Sequence, residues 1–275
     1  AGGLVGLVTK AELVPAVVGR VKPPVVGGMA TPFGVYLTGG GVRGGVGDLA
    51  LMSTGIFMCL VMIVSFQLAK FLVDAAWAQP ELADLLAHLP SGNLPLSPMS
   101  ISWTVLFAVL FRLCWITGYH AAEHQVVHAI EAGDDLKPEI VSQKPRVHPR
   151  CGTNLVAAAN LICLFWFHRV PWLGELEPVA ALLITVLYWR RVGGWLQQYV
   201  TTRPATPKQI ESGIRAARQL LDRYQQRPRQ QGMVRRVWNM GLLQVMAGWL
   251  LCLSLLQVVY LVFPQIPRDF SLLSW

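Results

Sequence analysis

Charge is scarce in this chain: Asp, Glu, Lys and Arg make up 14% of its 275 residues, where soluble domains carry about 25%. With 53% apolar residues, an ordinary water-soluble globule is excluded and a multi-pass membrane protein is expected. Acidic groups are scarcest, 15 against 23 basic ones, for a net charge of +8. The basic residues flank apolar runs and lack interleaved aromatics, so the expected partner is the lipid bilayer and not nucleic acid. There is no C-x-x-C pair, and four of the five cysteines (Cys59, Cys114, Cys163 and Cys252) lie in apolar runs, so no disulfide framework is implied. The chain's first residues lack the charged start, apolar centre and small-residue site of a signal peptide. The Gly-rich stretch around residues 27–41 lacks the Lys-Ser/Thr ending of a phosphate loop. No internal repeat or pair of broken helices points to a transporter, although Arg112 inside an apolar run marks a paired or functional position.

What is present is a set of long apolar runs. Their order predicts an all-α polytopic membrane protein with about five transmembrane helices, a Gly-rich N-terminal segment of short strands and turns, and a cytoplasmic amphipathic helix. The expected spans are residues 49–71, 99–118, 154–167, a run from Pro178 to Arg190-Arg191, and 237–263. Residues 79–88 read as a short surface helix, and 193–199 as an interfacial stretch. In 206–221, Thr206 caps a basic amphipathic helix that places Ile210, Ile214, Ala217 and Leu221 on one face. Asn154 and Asn160 suit interhelical hydrogen bonds, and His168 suits the interface. The chain then divides into an N-terminal segment 1–48, a four-span core 49–200 with a site loop at 119–153, a basic cytoplasmic helix and linker 201–232, and an added C-terminal span and tail 233–275.

The chemistry concentrates in residues 119–131, Tyr-His-Ala-Ala-Glu-His-Gln-Val-Val-His-Ala-Ile-Glu. At about 100° per residue, His120, Glu123, His124, His128 and Glu131 share one helix face. Neutral imidazoles offer nitrogen lone pairs and carboxylates offer oxygens, the raw material of a zinc or iron site. His120-x-x-Glu123-His124 alone has the inverted zinc-protease pattern: two His ligands and a Glu beside them as base. The alternative is a helix whose polar groups simply face water. A second cluster follows in Pro145-Arg-Val-His-Pro-Arg-Cys-Gly-Thr153, whose prolines hold it out of helix and which adds His148 and Cys151. The expected metal ligands are thus His120, His124, His128, Glu131, His148 and Cys151. Zinc is the expected ion and iron the alternative; Glu123 and Arg150 are the catalytic candidates. Nothing interrupts the helix at Tyr119, so this segment is expected to continue the second span.

Gly118-Tyr-His-Ala-Ala-Glu-His124, Glu131-Ala-Gly133, Arg146-x-His-Pro-Arg-Cys-Gly-Thr153 and Trp195-Leu-Gln-x-x-Val-Thr-Thr202 together resemble the YqhQ-like family of bacterial membrane proteins, a domain of unknown function. The resemblance covers residues 99–165 and 194–222. It implies metal dependence without a settled activity. The family pattern carries a Gln and a Glu where Met29 and Phe33 stand here, and an aromatic-Glu pair where Tyr188 is followed by Trp189, so two carboxylates are absent.

Lysine and arginine sort by segment: four precede the first span, four lie in 133–152 and eleven in 190–236, against one each in 70–98, 168–178 and the tail. The positive-inside rule places the N-terminus and the ligand clusters in the cytoplasm and the C-terminus outside a bacterial inner membrane. Two functions fit. One is a metal-dependent hydrolase acting at the inner leaflet, with Glu123 as base. The other is a non-catalytic subunit in which His120, His124, His148 and Cys151 close a structural site while the C-terminal span docks to other subunits of a membrane complex.

Overall fold

The computed structural model describes residues 22–87, 97–167, 174–226 and 232–264. His168 lies outside them. The chain is mostly helical, with one small sheet whose three strands, β1 (Gly27–Thr31), β2 (Gly34–Thr38) and β3 (Arg43–Gly45), run antiparallel in sequence order. The expected strands are therefore present at the end of the Gly-rich segment. Thr31 faces Gly34 across the tight β1–β2 connection, and the positive φ of Gly34 (148°) permits that turn.

Helix α1 (Asp48–Trp77) is about 45 Å long, ample for a hydrocarbon layer of about 30 Å. The surface helix α2 (Pro80–Ala87) follows, and then α3 (Pro98–Leu113), whose N-terminus is capped by Ser97 Oγ accepting from the Ser100 amide. α1 and α3 pack as a hairpin. Trp103 Nε1 donates to Ser65 Oγ at 3.2 Å, and its ring meets Phe66 edge-on.

The histidine helix does not continue the second span. At Cys114 the backbone turns extended (ψ 145°), and α4 (Ile116–Ala132) leaves at 68° to α3. No proline or glycine causes the break. Tertiary contacts hold it: Trp115 Nε1 donates to the Pro32 carbonyl, and Gln209 Nε2 donates to the Trp115 carbonyl. The bend lays α4 against the sheet and the basic amphipathic helix α8 (Pro207–Gln226). Val35 and Leu37 of β2, Val126, Val127 and Ile130 of α4, and Ile210, Ile214 and Leu220 of α8 make the resulting core. Leu220, not Leu221, is the fully buried leucine of α8. The N-terminus of α8 forms one half of a capping box: the Thr206 amide and hydroxyl both donate to Gln209 Oε1.

After α4 ends at Gly133 (φ 77°), a short turn α5 (Pro138–Val141) leads into the loop 142–151. α6 (Gly152–Phe167) then pairs with α7 (Glu177–Leu196). The stretch 193–199 is helical: α7 runs into a π-helical turn, Gln197–Thr201. Asn154 hydrogen-bonds outside its helix as expected, whereas Asn160 bonds its own helix, to the Val156 carbonyl.

The last apolar run is broken at Gly241 (φ 82°) into α9 (Met233–Asn239) and α10 (Leu242–Val262), so the span begins later than residue 237. α10 packs on α1 at backbone contact distance. A Cβ at Gly55 would lie 1.9 Å from the Val245 carbonyl oxygen, and one at Gly248 would lie 1.9 Å from that of Met52. Cys59, Ile63 and Cys252 fill the seam beyond.

Among the described residues, three helical segments are long and apolar enough to cross a membrane: Asp48–Trp77, Gly174–Thr201 and Leu242–Val262. The bent pair α3–α4 makes a fourth if it is counted as one.

Candidate metal centre

α4 carries His120, His124 and His128 one turn apart. Strand β1, the π-helical turn Gln197–Thr201 and the loop 142–151 close around them. The structure brings all six expected ligands together, but as two groups instead of one. His120, His124 and Cys151 present ligand atoms within 4.8 Å of one another, and so do His128, Glu131 and His148. The expected tetrad of His120, His124, His148 and Cys151 does not form: His148 sits with the second group. His148 turns its Nε2 toward Glu131 Oε2, at 3.6 Å, and helical rise keeps His128 out of the first group. Eight residues at 1.5 Å separate His120 from His128 by about 12 Å, too far for one ion.

In the first group every imidazole is oriented by a backbone carbonyl. His120 Nδ1 donates to Thr201 O at 2.9 Å, and His124 Nδ1 donates to Arg146 O at 2.5 Å. That leaves Nε2 as the nitrogen turned inward in each ring, and His120 Nε2 lies 3.3 Å from Cys151 Sγ. This is how metal-binding histidines are normally held, with the far N–H fixed so that the near nitrogen is free to ligate. Burial, then the neighbouring imidazole of His120, pushes His124 well below the ordinary histidine value, so it is neutral. Burial pushes the Cys151 thiol up, while the Thr153 hydroxyl and amide beside the sulfur oppose this. Two imidazoles and a thiol converging at one point fit a zinc-type ion.

Glu123 is buried beside this group, with Oε2 3.4 Å from His124 Nε2. Burial raises its pKa to about 8; the Cys151 sulfur adds to the shift and His120 opposes it. The carboxyl rests against Gly28 of β1, where a Cβ would come within 2.2 Å of Oε1. Arg150 is half-exposed and forms an ion pair with Glu131.

A cavity of about 550 Å³ opens onto the first group. Its polar wall includes His120, Glu123, His124, His148, Arg150 and Cys151. Its apolar lining comes from Val26 and Met29 of the sheet segment, Met58 of α1, Phe111 of α3 and Ile116 of α4. His128 and Glu131 do not line it.

Residues without ligand chemistry hold this arrangement. Gln197, fully buried in the π-helical turn, accepts the His148 amide at 2.7 Å and donates to Asn154 Oδ1 at 3.1 Å. Asn154 Nδ2 donates to the carbonyls of His148 and Pro149. Thr201, on the same turn, supplies the carbonyl that fixes His120. Arg112 reaches toward the Gln198 carbonyl of this turn at 3.4 Å. Sequence reasoning gave Gln197, Thr201 and Gly28 no role. Gln197 and Thr201 lie in Trp195–Thr202, where the pattern signalled importance without chemistry; π-helical turns are often found at functional sites.

Fold and site thus define a helical membrane protein with a histidine-rich ligand cluster beside its apolar helices. A family model described as a protein of unknown function, DUF1385, matches residues 46–189, and the chain belongs to that family. It is also similar to the uncharacterized protein YqhQ of Bacillus subtilis (strain 168), 23% identical over 205 residues. That match covers 62% of this chain and 62% of the relative, so the chain spans less than two thirds of the relative's length. No solved structure matches.

Proposed function

We propose that the protein is a metal-dependent hydrolase of the bacterial cytoplasmic membrane, acting on an amphipathic substrate at the inner leaflet. The observation that carries this reading is the placement of His120, His124 and Cys151 in the lining of a cavity that also exposes apolar side chains, Val26, Met29, Met58, Phe111 and Ile116. A structural ion needs a closed four-ligand sphere, whereas three protein ligands leave a position for substrate.

A divalent cation held by these three residues, zinc before iron, would supply Lewis acidity at the cavity wall. The chain supplies the rest. The Arg146 and Thr201 carbonyls fix both imidazoles. Glu123 holds or accepts a proton at an oxygen beside His124, within the cavity, in general acid–base fashion. Met58 and Phe111 shield the centre from bulk water and offer an apolar surface continuous with the membrane helices. Arg150 stands at the cavity wall as a cation for an anionic headgroup.

Chain path supports the membrane arrangement. Residues 22–47, 116–151 and 197–226 all belong to the folded unit around the sheet, α4 and α8. The hairpins α1–α3 and α6–α7 each leave that unit and return to it. If α1 and α7 cross the bilayer, α3 and α6 cross with them, and α10 makes the fifth span. The Lys- and Arg-rich segments then fall on one side, the cytoplasmic one, with the C-terminus outside. Reporter fusions at residues 140 and 275 are expected to report opposite faces.

For activity, metal-loaded protein is reconstituted with a bacterial polar-lipid extract and the products are followed by mass spectrometry. New hydrolysis products are expected with wild type, and none with Glu123→Gln, which keeps the ion because Glu123 is not among the three ligands. Loss of bound metal in Glu123→Gln, or identical products from both proteins, would overturn the assignment.

A further inference from the structure

We propose that His128, Glu131 and His148 form a second, structural cation site, which clamps the loop carrying Cys151 onto the end of α4. It goes beyond the cavity-facing centre and does not require that centre to be occupied. The three ligand atoms lie within 4.8 Å of one another, one helical turn beyond the first group and off the cavity wall apart from His148.

The independent observation is His148. It is 4% exposed, and its Nε2 has no hydrogen-bond partner, although it points at Glu131 Oε2 from 3.6 Å. A buried polar atom left without a partner is uncommon, and an ion between it and the carboxylate would satisfy both. The other two ligands are held for the same purpose. His128 Nε2 donates to the Val147 carbonyl at 2.9 Å, which leaves Nδ1 as the free lone pair. Glu131 Oε1 is taken by Arg150, which leaves Oε2 facing His148. The Arg150 amide contacts His148 Nδ1 at 3.3 Å. Ion binding at Nε2 moves the imidazole proton to Nδ1 and gives up that long contact. Two imidazoles and one carboxylate suit zinc or ferrous iron over calcium or magnesium.

The role follows from position. His148 precedes Cys151 by three residues, and the Gln197 and Asn154 side chains already hold its backbone. An ion on His148, His128 and Glu131 fixes its side chain as well. Cys151 then reaches the first site at a set distance.

The test counts metal in purified full-length protein loaded with Co(II), using elemental analysis and absorption spectra. The cavity site contains a thiolate and gives a near-ultraviolet sulfur-to-cobalt band; the second site has no sulfur and gives none. Wild type is expected to hold two equivalents per chain. His128→Ala and the milder Glu131→Gln should each fall to one with the sulfur band retained, and Cys151→Ser should fall to one without it. Should His128→Ala misfold, Glu131→Gln and stepwise titration of wild type still decide the matter. One equivalent in wild type, unchanged in Glu131→Gln, overturns the second site, as does loss of all metal in either single variant. Loss of one equivalent in Glu131→Gln with no loss in Cys151→Ser would instead sink the cavity-site reading and leave this one standing.

Discussion

Replacing Gln197 with Leu tests whether the π-helical turn holds the ligand loop. The side chain is fully buried and nearly isosteric with leucine, so the change removes two hydrogen bonds with little change in volume. It orphans the His148 amide, now bonded at 2.7 Å, and Asn154 Oδ1, now bonded at 3.1 Å. Each orphaned buried group costs about 1–3 kcal/mol, and the apolar replacement returns about 1 kcal/mol, leaving a loss of about 1–5 kcal/mol. At about 2–4 °C per kcal/mol for a chain of this size, that corresponds to a fall in melting temperature of about 2–20 °C, read in detergent by intrinsic fluorescence. Because the ligand loop loses its backbone anchor, metal affinity should fall about 10–100-fold, as it does when groups that orient ligands are removed. Asn154→Leu should behave similarly, and the double variant should lose less than the sum, because the two residues share one network. A Gln197→Leu protein that melts with wild type and binds metal equally well would refute the argument.

Gly28→Ala places a methyl group within 2.2 Å of Glu123 Oε1; at an overpacking cost of about 1–3 kcal/mol the carboxyl should leave its seat, so turnover should be lost with the ion retained. Equal turnover would show that Glu123 does not act from there. Gly55→Leu should separate α1 from α10, because its side chain would meet backbone at 1.9 Å. In a variant keeping only Cys59 and Cys252, which share one buried cluster, copper-catalysed oxidation should form an intrachain cross-link that Gly55→Leu abolishes; persistence of the cross-link would contradict the packing. Chelator treatment should lower the melting temperature and added zinc restore it, with saturation at about 100 times Kd contributing about 2.7 kcal/mol; an unchanged melt would count against bound metal.

The helices were legible because their evidence is local. Apolar runs announced α1, α7 and α10, and the i, i+4 spacing put His120, His124 and His128 on one face. The division into two groups was missed because that reading used angle and ignored rise, which separates His120 from His128 by about 12 Å. The break at Cys114 carries no local signal. It depends on Trp115 and Gln209 reaching partners 83 and 94 residues away, the Pro32 and Trp115 carbonyls. The same is true of the seat for Glu123: a glycine in a Gly-rich strand looks like turn chemistry until the carboxyl is seen against it. The start of α10 was misplaced because Gly241 sits inside an apolar run that hydropathy alone reads as continuous.

The two missing family carboxylates weigh less once the positions are located. Phe33 lies at the β1–β2 turn and is 71% exposed; Trp189 lies on α7 under the Arg190 guanidinium, 5.2 Å from its ring. Neither lines the cavity. The departure that does reach it is Met29, which places a flexible thioether where the family pattern has an amide. Removing an amide from a wall already built of Val26, Met58 and Phe111 leaves the ligand side as the cavity's polar wall. A substrate would be oriented by that contrast, its apolar part against Met29 and the membrane helices and its reacting bond toward His120, His124 and Cys151. The substitution therefore removes no group that the proposed chemistry uses.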